Sequence, residues 1–318
     1  NPEVLIMSQV LCFGNLQLDV LCRPVTSLPP PGVLTAVEQI NMLLSGNGGN
    51  VAASLARLGV SVTLAGYRGA DVIGDGFAGT LDELGVDISR LPRHPYAATG
   101  TSIVALAPNG ERTILFTNGA NGLFDLDTVP DAWLDGPRVV AVSSVFVLPL
   151  FTGGAVARLF ARAHANGAKT VLNTSWPSEK EPLAFLRPAL AEADYFICSF
   201  DEGRELTGHT RPELILEVLE SVSRGVVVMT MGADGCIFRV DGHLRQAPAE
   251  VVDATDCTGA GDAFVAGFIA GLVDRRPLAG CAALGSRVAS YAVTGPGAYP
   301  RIPTLCDLDR GVAIRSER

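Results

Sequence analysis

The residues with the clearest chemical meaning lie near the C-terminal end, in the string Asp256-Cys257-Thr258-Gly259-Ala260-Gly261-Asp262-Ala263-Phe264. Phe264, Phe268 and Leu272 recur every four residues, so the spacing predicts a helix that starts at the glycines. Small residues at a helix start leave backbone N–H groups unshielded. With the positive end of the helix dipole, those groups suit an anion. A carboxylate is not needed to bind an anion there and would repel a phosphate. Asp262 therefore reads as a general base, taking a proton from a hydroxyl that attacks a phosphorus held at the same helix start. The string also reads as a plain glycine turn with Asp262 at an ordinary first-turn position, and taken alone it leaves both readings open.

Two familiar nucleotide-binding patterns are missing. No G-x-x-x-x-G-K-[ST] string occurs. Gly259-Ala260-Gly261 is followed by Asp-Ala-Phe, and Gly14-Asn15-Leu16-Gln17-Leu18-Asp19 after the first apolar run also lacks G-x-G-x-x-G, which argues against a Rossmann dehydrogenase. The 24 Lys and Arg against 33 Asp and Glu give a net charge of −9, so the chain would repel a nucleic-acid backbone. Hydrophobic residues make up 48% and charged residues 18%, enough for a large core and too little charge for disorder. No apolar run reaches the roughly 18 residues a membrane helix needs, so no membrane partner is expected. The seven cysteines, at 12, 22, 198, 236, 257, 281 and 306, form no C-x-x-C pair and read as reduced thiols in a cytoplasmic protein. The histidines at 94, 164, 209 and 243 lie too far apart for a zinc site. Asn1-Pro2-Glu3 lacks the features of a signal peptide, and Met7 is expected as the natural first residue.

Elements able to position such a loop run along the whole chain. Short apolar runs at 10–13, 61–65, 139–142, 170–172, 195–198 and 226–230 read as strands. They alternate with helical patterns at 51–58, 77–84, 155–165 and 213–222, the first two stopped by Gly59 and Gly85. That order predicts a parallel sheet with helices on both faces, and Val226-Val227-Val228-Met229 has the apolar continuity of a strand buried on both sides. Two stretches break the rhythm. Residues 18–44 contain Pro29-Pro30-Pro31, and residues 99–116 alternate like strands around a turn at Pro108-Asn109-Gly110. Together they suggest a small antiparallel sheet projecting from the main body.

The whole constellation resembles the PfkB, or ribokinase-like, carbohydrate kinase family. The family's C-terminal signature is a D-T-x-G-A-G-D loop leading into a helix, and residues 256–262 read D-C-T-G-A-G-D. Gly46-Asn47-Gly48-Gly49-Asn50 followed by Ala52-Ala53-Ser54-Leu55-Ala56-Arg57-Leu58-Gly59 is similar to its N-terminal signature. Residues 67–75 resemble its G-x-D-x-x-G segment, Thr230-Met231-Gly232-Ala233-Asp234-Gly235 its nucleotide loop, and residues 292–298 its tail. These motifs follow the family's order over nearly the whole chain.

The resemblance implies a ribokinase-like three-layer α/β/α sandwich with a mostly parallel central sheet. Residues 1–14, 45–97 and 119–318 would form the core, and residues 15–44 and 98–118 a β lid. It implies that Asp262 is the catalytic base and that the Gly259, Ala260 and Gly261 amides form an anion hole. Gln17, Asp19, Gly46, Asn47 and Asn50 would face the sugar, and Ser199, Thr230, Gly232 and Gly235 the ATP. Glu202 would hold Mg²⁺ through water, and Asp256, Thr258, Ala292 and Gly297 would offer a monovalent-cation loop for K⁺. The implied reaction moves the γ-phosphoryl group of ATP to a hydroxymethyl group of a small sugar, in a homodimer paired through the lid. A nucleoside kinase of the same family and a non-catalytic sugar-sensing relative are the alternatives.

Departures from the family pattern are specific. Ser199 replaces the Asn of an N-x-x-E element whose Glu is kept as Glu202. Asn47 stands where ribokinases proper carry Lys, and Val145-Phe146-Val147-Leu148 offers no Glu ahead of Pro149. Arg301, near a position that is often Ser, argues against K⁺. Outside these motifs, Asp71 and Asp75 read as helix-start residues and Arg112 as a hairpin-edge charge. Cys257 reads as a small packed residue and His94 and His209 as surface loop residues. Trp133 and Trp176 have too few aromatic neighbours to form a stacking platform.

Overall fold

Short β-branched runs flanked by glycine and followed by amphipathic stretches leave the chain one economical arrangement: parallel strands in the middle and helices covering both faces. The computed structural model describes residues 8–109 and 111–311. The first half contains β1 (Val10–Phe13), β2 (Gln17–Arg23), β3 (Gln39–Ser45), α1 (Asn47–Arg57), β4 (Val62–Ala65), α2 (Val72–Glu83), β5 (Gly100–Leu106), β6 (Arg112–Thr117) and β7 (Val139–Val142). There follow α3 (Gly153–Ala165), β8 (Lys169–Asn173), α4 (Pro182–Leu190), β9 (Tyr195–Ser199), α5 (Phe200–Thr207), α6 (Pro212–Val222) and β10 (Val226–Thr230). The chain then forms β11 (Cys236–Val240), β12 (His243–Ala247), α7 (Ala260–Val273), α8 (Leu278–Ala292) and α9 (Leu305–Asp309).

The main sheet has eight strands in the order β12-β11-β10-β9-β8-β7-β1-β4. Strands from β4 to β10 run parallel, and the hairpin β11–β12 closes one side antiparallel. Successive residues of one strand feed opposite faces. Val10 and Cys12 pack with α1, α2, α7 and α8, while Leu11 and Phe13 pack with α3, α4, α5 and α6. The α7–α8 seam is close because a Cβ on Gly267 would come within 2.9 Å of the Gly285 Cα.

The second sheet, ordered β3-β2-β5-β6, is built from the two stretches that broke the sequence rhythm. Its outer pairs are antiparallel, and β2 and β5 pair in parallel at its centre. Ala107 N–H donates to Glu111 O at 2.9 Å to close the β5–β6 hairpin. Gly110 of the expected turn, and residues 1–7 with Met7, lie outside the described residues. Strand parity separates two faces. Gln17, Asp19, Ser102, Ile114 and Phe116 share one, while Ile40, Met42, Val20, Ile103 and Leu115 share the other.

Two helices begin earlier than the periodicity predicts. α1 starts at Asn47 rather than at residue 51, and α2 at Val72 rather than at residue 77. Tertiary contacts override the low helix propensity of Gly48 and Gly49: Asn47 N–H donates to Asn15 Oδ1 at 2.9 Å and Gly49 N–H to Asn15 O at 3.2 Å. Asp71 caps α2 by accepting Gly74 N–H at 2.8 Å, and also ties Thr99 just before β5 through N–H and Oγ1. Asp75 pairs with Arg68 at 2.6 Å and Arg93 at 3.3 Å. Arg112 is exposed on β6, an edge strand of the second sheet. His209 is exposed as expected, while His94 is half-buried, packed against the Tyr67 ring at 5.3 Å. All seven cysteines are free thiols. Among the described residues no helix is long and apolar enough to cross a membrane.

Candidate active site

Parallel strands end on the same side of the sheet, and the loops leaving them converge there. β1 delivers Gly14 and Asn15, β7 delivers Ser143 and Ser144, β8 delivers Asn173 and Thr174, and β9 and β10 end in Ser199 and Thr230. The glycine-rich loop before α7 arrives at the same place. Gly259 is its N-cap with φ 76, and a Cβ there would stand 2.1 Å from the Ala298 Cβ, so glycine is required. The first backbone bond of α7 is Ala263 N–H to Gly259 O at 2.9 Å. Gly259 and Gly261 N–H have no acceptor among the described residues, as expected of a first turn. Ala260 N–H differs from the sequence expectation. It donates to Cys257 O at 3.3 Å, because the loop closes a tight turn there, so among the described residues the free donors are the Gly259, Gly261 and Asp262 amides.

Asp262 is 5% exposed. Its Oδ1 accepts from Asn47 Nδ2 and its Oδ2 from Asn50 Nδ2, both at 2.8 Å. Burial pushes its carboxyl up to about 6, while the Asn50 and Asn47 amides pull the other way by stabilising the charged form. The approach of α1 that makes these contacts depends on glycine. A Cβ on Gly48 would stand 2.6 Å from the Gly14 carbonyl carbon. Asn47 and Asn50 also line a cavity under the second sheet.

Three cavities meet at this helix start. The first, of about 360 Å³, lies under the second sheet and is lined by Gln17, Asp19, Gly46, Ser102, Ile114 and Phe116 together with Asn47, Gly259 and Asp262. Ser102 donates its hydroxyl to Asp19 Oδ1. Val147 also reaches this cavity, from the segment that lacks the family Glu. The second, of about 150 Å³, joins Asn47, Gly259, Gly261 and Asp262 to Asn173, Thr174, Ser199, Glu202 and Thr230. The third, of about 350 Å³, is largely apolar and runs past Thr230, Gly232, Gly235, Val251, Val252 and Phe264. Gly235 has φ 87, and a Cβ there would meet the Ala247 carbonyl oxygen at 2.0 Å. Cys257 is exposed and lines this third cavity, which corrects the expectation of a packed residue: its loop bends outward ahead of α7.

Ser199 and Glu202 form a capping box at the start of α5. Ser199 Oγ accepts Glu202 N–H at 3.2 Å and Glu202 Oε2 accepts Ser199 N–H at 2.7 Å. The serine that replaces the family Asn thus holds the glutamate in place. Burial raises the Glu202 carboxyl, the Ser199 hydrogen bonds oppose this, and the nearby Asp262 charge adds to the rise. Of the monovalent-cation set, Asp256, Thr258 and Gly297 come together: Asp256 Oδ1 accepts Thr258 N–H at 2.9 Å and Oδ2 accepts Gly297 N–H at 3.4 Å. Ala292 is buried in the last turn of α8. Asn15, Ser144, Asn173, Thr174 and Ser102 line or support the site and were missed. Asn15 carried one signal, its place just after the first strand.

Comparison with known proteins fits this geometry. The family model described as pfkB family carbohydrate kinase matches residues 7–305. An Escherichia coli fructokinase is 29% identical over 272 residues, covering 82% of this chain and 89% of that one. A Haemophilus influenzae ribokinase is 26% identical over 301 residues, covering 92% and 94%. The structure of an Arabidopsis thaliana ribokinase complexed with ribose and ATP superposes with a TM-score of 0.86 at 20% identity, covering 96% of this chain and 98% of that one. The chain belongs to the pfkB family of carbohydrate kinases. It is a ribokinase- and fructokinase-like sugar kinase, a transferase with the ribokinase-like fold.

Proposed function

We propose that this protein transfers the γ-phosphoryl group of ATP to a hydroxymethyl group of a small sugar. The observation that carries the reading is the place of Asp262, on the wall shared by the first and second cavities. The sugar occupies the first cavity, where Asp19 and Gln17 meet its hydroxyls. ATP lies along the third, with its base against the apolar wall and its phosphates running past Thr230, Gly232 and Gly235 to the second. The Asp262 carboxylate takes the proton of the hydroxymethyl group as the new O–P bond forms and the bond to ADP breaks. The Gly259 and Gly261 amides point at the oxygens of the moving phosphoryl group and stabilise their charge without reorganising. Asp262 then releases its proton to solvent.

The oxygen donors around the second cavity suit a hard divalent cation, because Glu202 keeps Oε1 outside its capping box and Asp262 is adjacent. Glu202 would hold Mg²⁺ there through water, with Ser199 fixing the glutamate. When bound, the ion neutralises charge on the phosphate oxygens. K⁺ is left out of the proposal: both Asp256 oxygens already accept loop amides, and Arg301 packs on Gly295 in the same loop. Residues 15–44 and 98–118 act as the lid, and closing it keeps water from competing with the sugar.

Coupled ADP release over pentoses, hexoses, keto-deoxy acids and nucleosides tests the reading. A neutral pentose or hexose is expected to give the highest kcat/KM. No ADP release with any member of the panel would favour a sugar-binding protein instead. Ile114 and Phe116 on the cavity wall support a second reading, a nucleoside acceptor, and preference for a nucleoside would establish it.

A further inference from the structure

The Asn47 amide that holds Asp262 is itself held from behind. An ionised carboxylate only accepts hydrogen bonds, so Asn47 must turn Nδ2 toward Asp262. Its Oδ1 then faces the opposite way, where Ser144 Oγ lies 2.8 Å distant. The same hydroxyl is 2.8 Å from Asn15 Oδ1, the atom that accepts Asn47 N–H at 2.9 Å. The hydroxyl has one proton, which the two amide oxygens share, so Ser144 ties the Asn47 side chain to the Asn15 amide that also holds the Asn47 backbone.

Ser144 is fully buried at 0% exposure and adopts φ 65, in the left-handed region that residues other than glycine seldom occupy. Its carbonyl accepts Val147 N–H at 2.9 Å and Leu148 N–H at 3.1 Å, so the turn after β7 uses this conformation. Glycine would make the same turn without strain. A serine there brings a hydroxyl to Asn47 at a backbone cost, a pattern that clusters at functional sites.

We propose that Ser144 is a positioning residue, whose hydroxyl fixes the Asn47 amide so that Nδ2 faces Asp262. The proposal rests on the reading of Asp262 as the base. Without the hydroxyl the far end of the Asn47 amide loses its hydrogen-bond partner, and only the Asp262 carboxylate still orients it. The linked Asn47 and Asp262 side chains can then shift together out of line with the acceptor, restrained by Asn50.

Ser144→Gly removes the hydroxyl at a φ that glycine takes freely, and Ser144→Ala removes it with the parental backbone demand. Both are expected to lower kcat about 10- to 100-fold with the KM for ATP unchanged, the loss typical of a small misplacement of a reacting group. Thermal midpoints should stay within about 3 °C of the parent for Ser144→Gly. A cycle with Asn47→Ala separates positioning from a general structural role. If Ser144 acts through Asn47, Ser144→Gly costs nothing further in the Asn47→Ala background. Parental kcat in both Ser144 variants, losses that multiply in the double variant, or failure of both variants to fold would each overturn the proposal. Asp262→Asn, run beside them, separates the two claims: a dead Asp262→Asn with active Ser144 variants sinks this inference alone, and an active Asp262→Asn removes the base assignment under it as well.

Discussion

At the scale of single residues, the proposed role of Asp262 as base puts two opposing demands on it. Burial favours the neutral acid, while a base must be charged to take a proton. The Asn47 and Asn50 amides keep the charged form within reach, leaving the carboxyl at about 6. Activity should therefore fall as pH drops through about 6, where Asp262 becomes protonated. Asn50→Ala removes the bond to Oδ2, so the acid limb of kcat/KM should move to higher pH. A limb that stays in place would mean that Asn50 does not stabilise the charged base. Asp262 could be read in the sequence because a carboxylate among glycines at a helix start needs a reason. Asn15 and Ser144 could not, since 129 positions separate them and only the fold places one against the other. Ser199 was legible as a replacement, but its hydrogen bonds to Glu202 had to be seen before the change made sense.

At the scale of elements, the buried strands were the most legible part. β1, β7 and β10 fall where their apolar runs lie, because a strand covered on both faces must be apolar throughout. Helix starts were less legible, since Gly48 and Gly49 look like loop residues until Gly14 and Asn15 pack against them. The hairpin β11–β12 and helices α4, α5 and α8 were not separated from their neighbours, because short or small-residue segments carry weak periodicity. Gly48 gives this scale its prediction. Its Cβ position lies 2.6 Å from backbone of Gly14, which no side-chain rotation can relieve. Gly48→Ala should cost about 1–3 kcal/mol of stability as an overpacked contact, measured by urea unfolding. It should also lower kcat, by shifting Asn47 away from Asp262. Parental values of both would show that α1 is free to move.

At the scale of the whole molecule, the second sheet has two faces with different fates. One covers the first cavity. The other leaves Met42 71%, Ile40 58%, Leu115 57% and Ile103 47% exposed, a set of large apolar side chains on one face of the sheet. Pairing of two such faces is expected to make a homodimer, visible as twice the chain mass in light scattering. Met42→Asp should shift the mass toward one chain, and a monomeric parent would refute the pairing. The second sheet, the sheet ends and the three cavities all converge on one carboxylate at the start of α7, and its removal tests the account most directly. Asp262→Asn keeps the shape and removes the base. The account predicts that its kcat falls about 10²- to 10⁴-fold while calorimetry finds ATP bound as tightly as by the parent. Turnover near the parental value would contradict it.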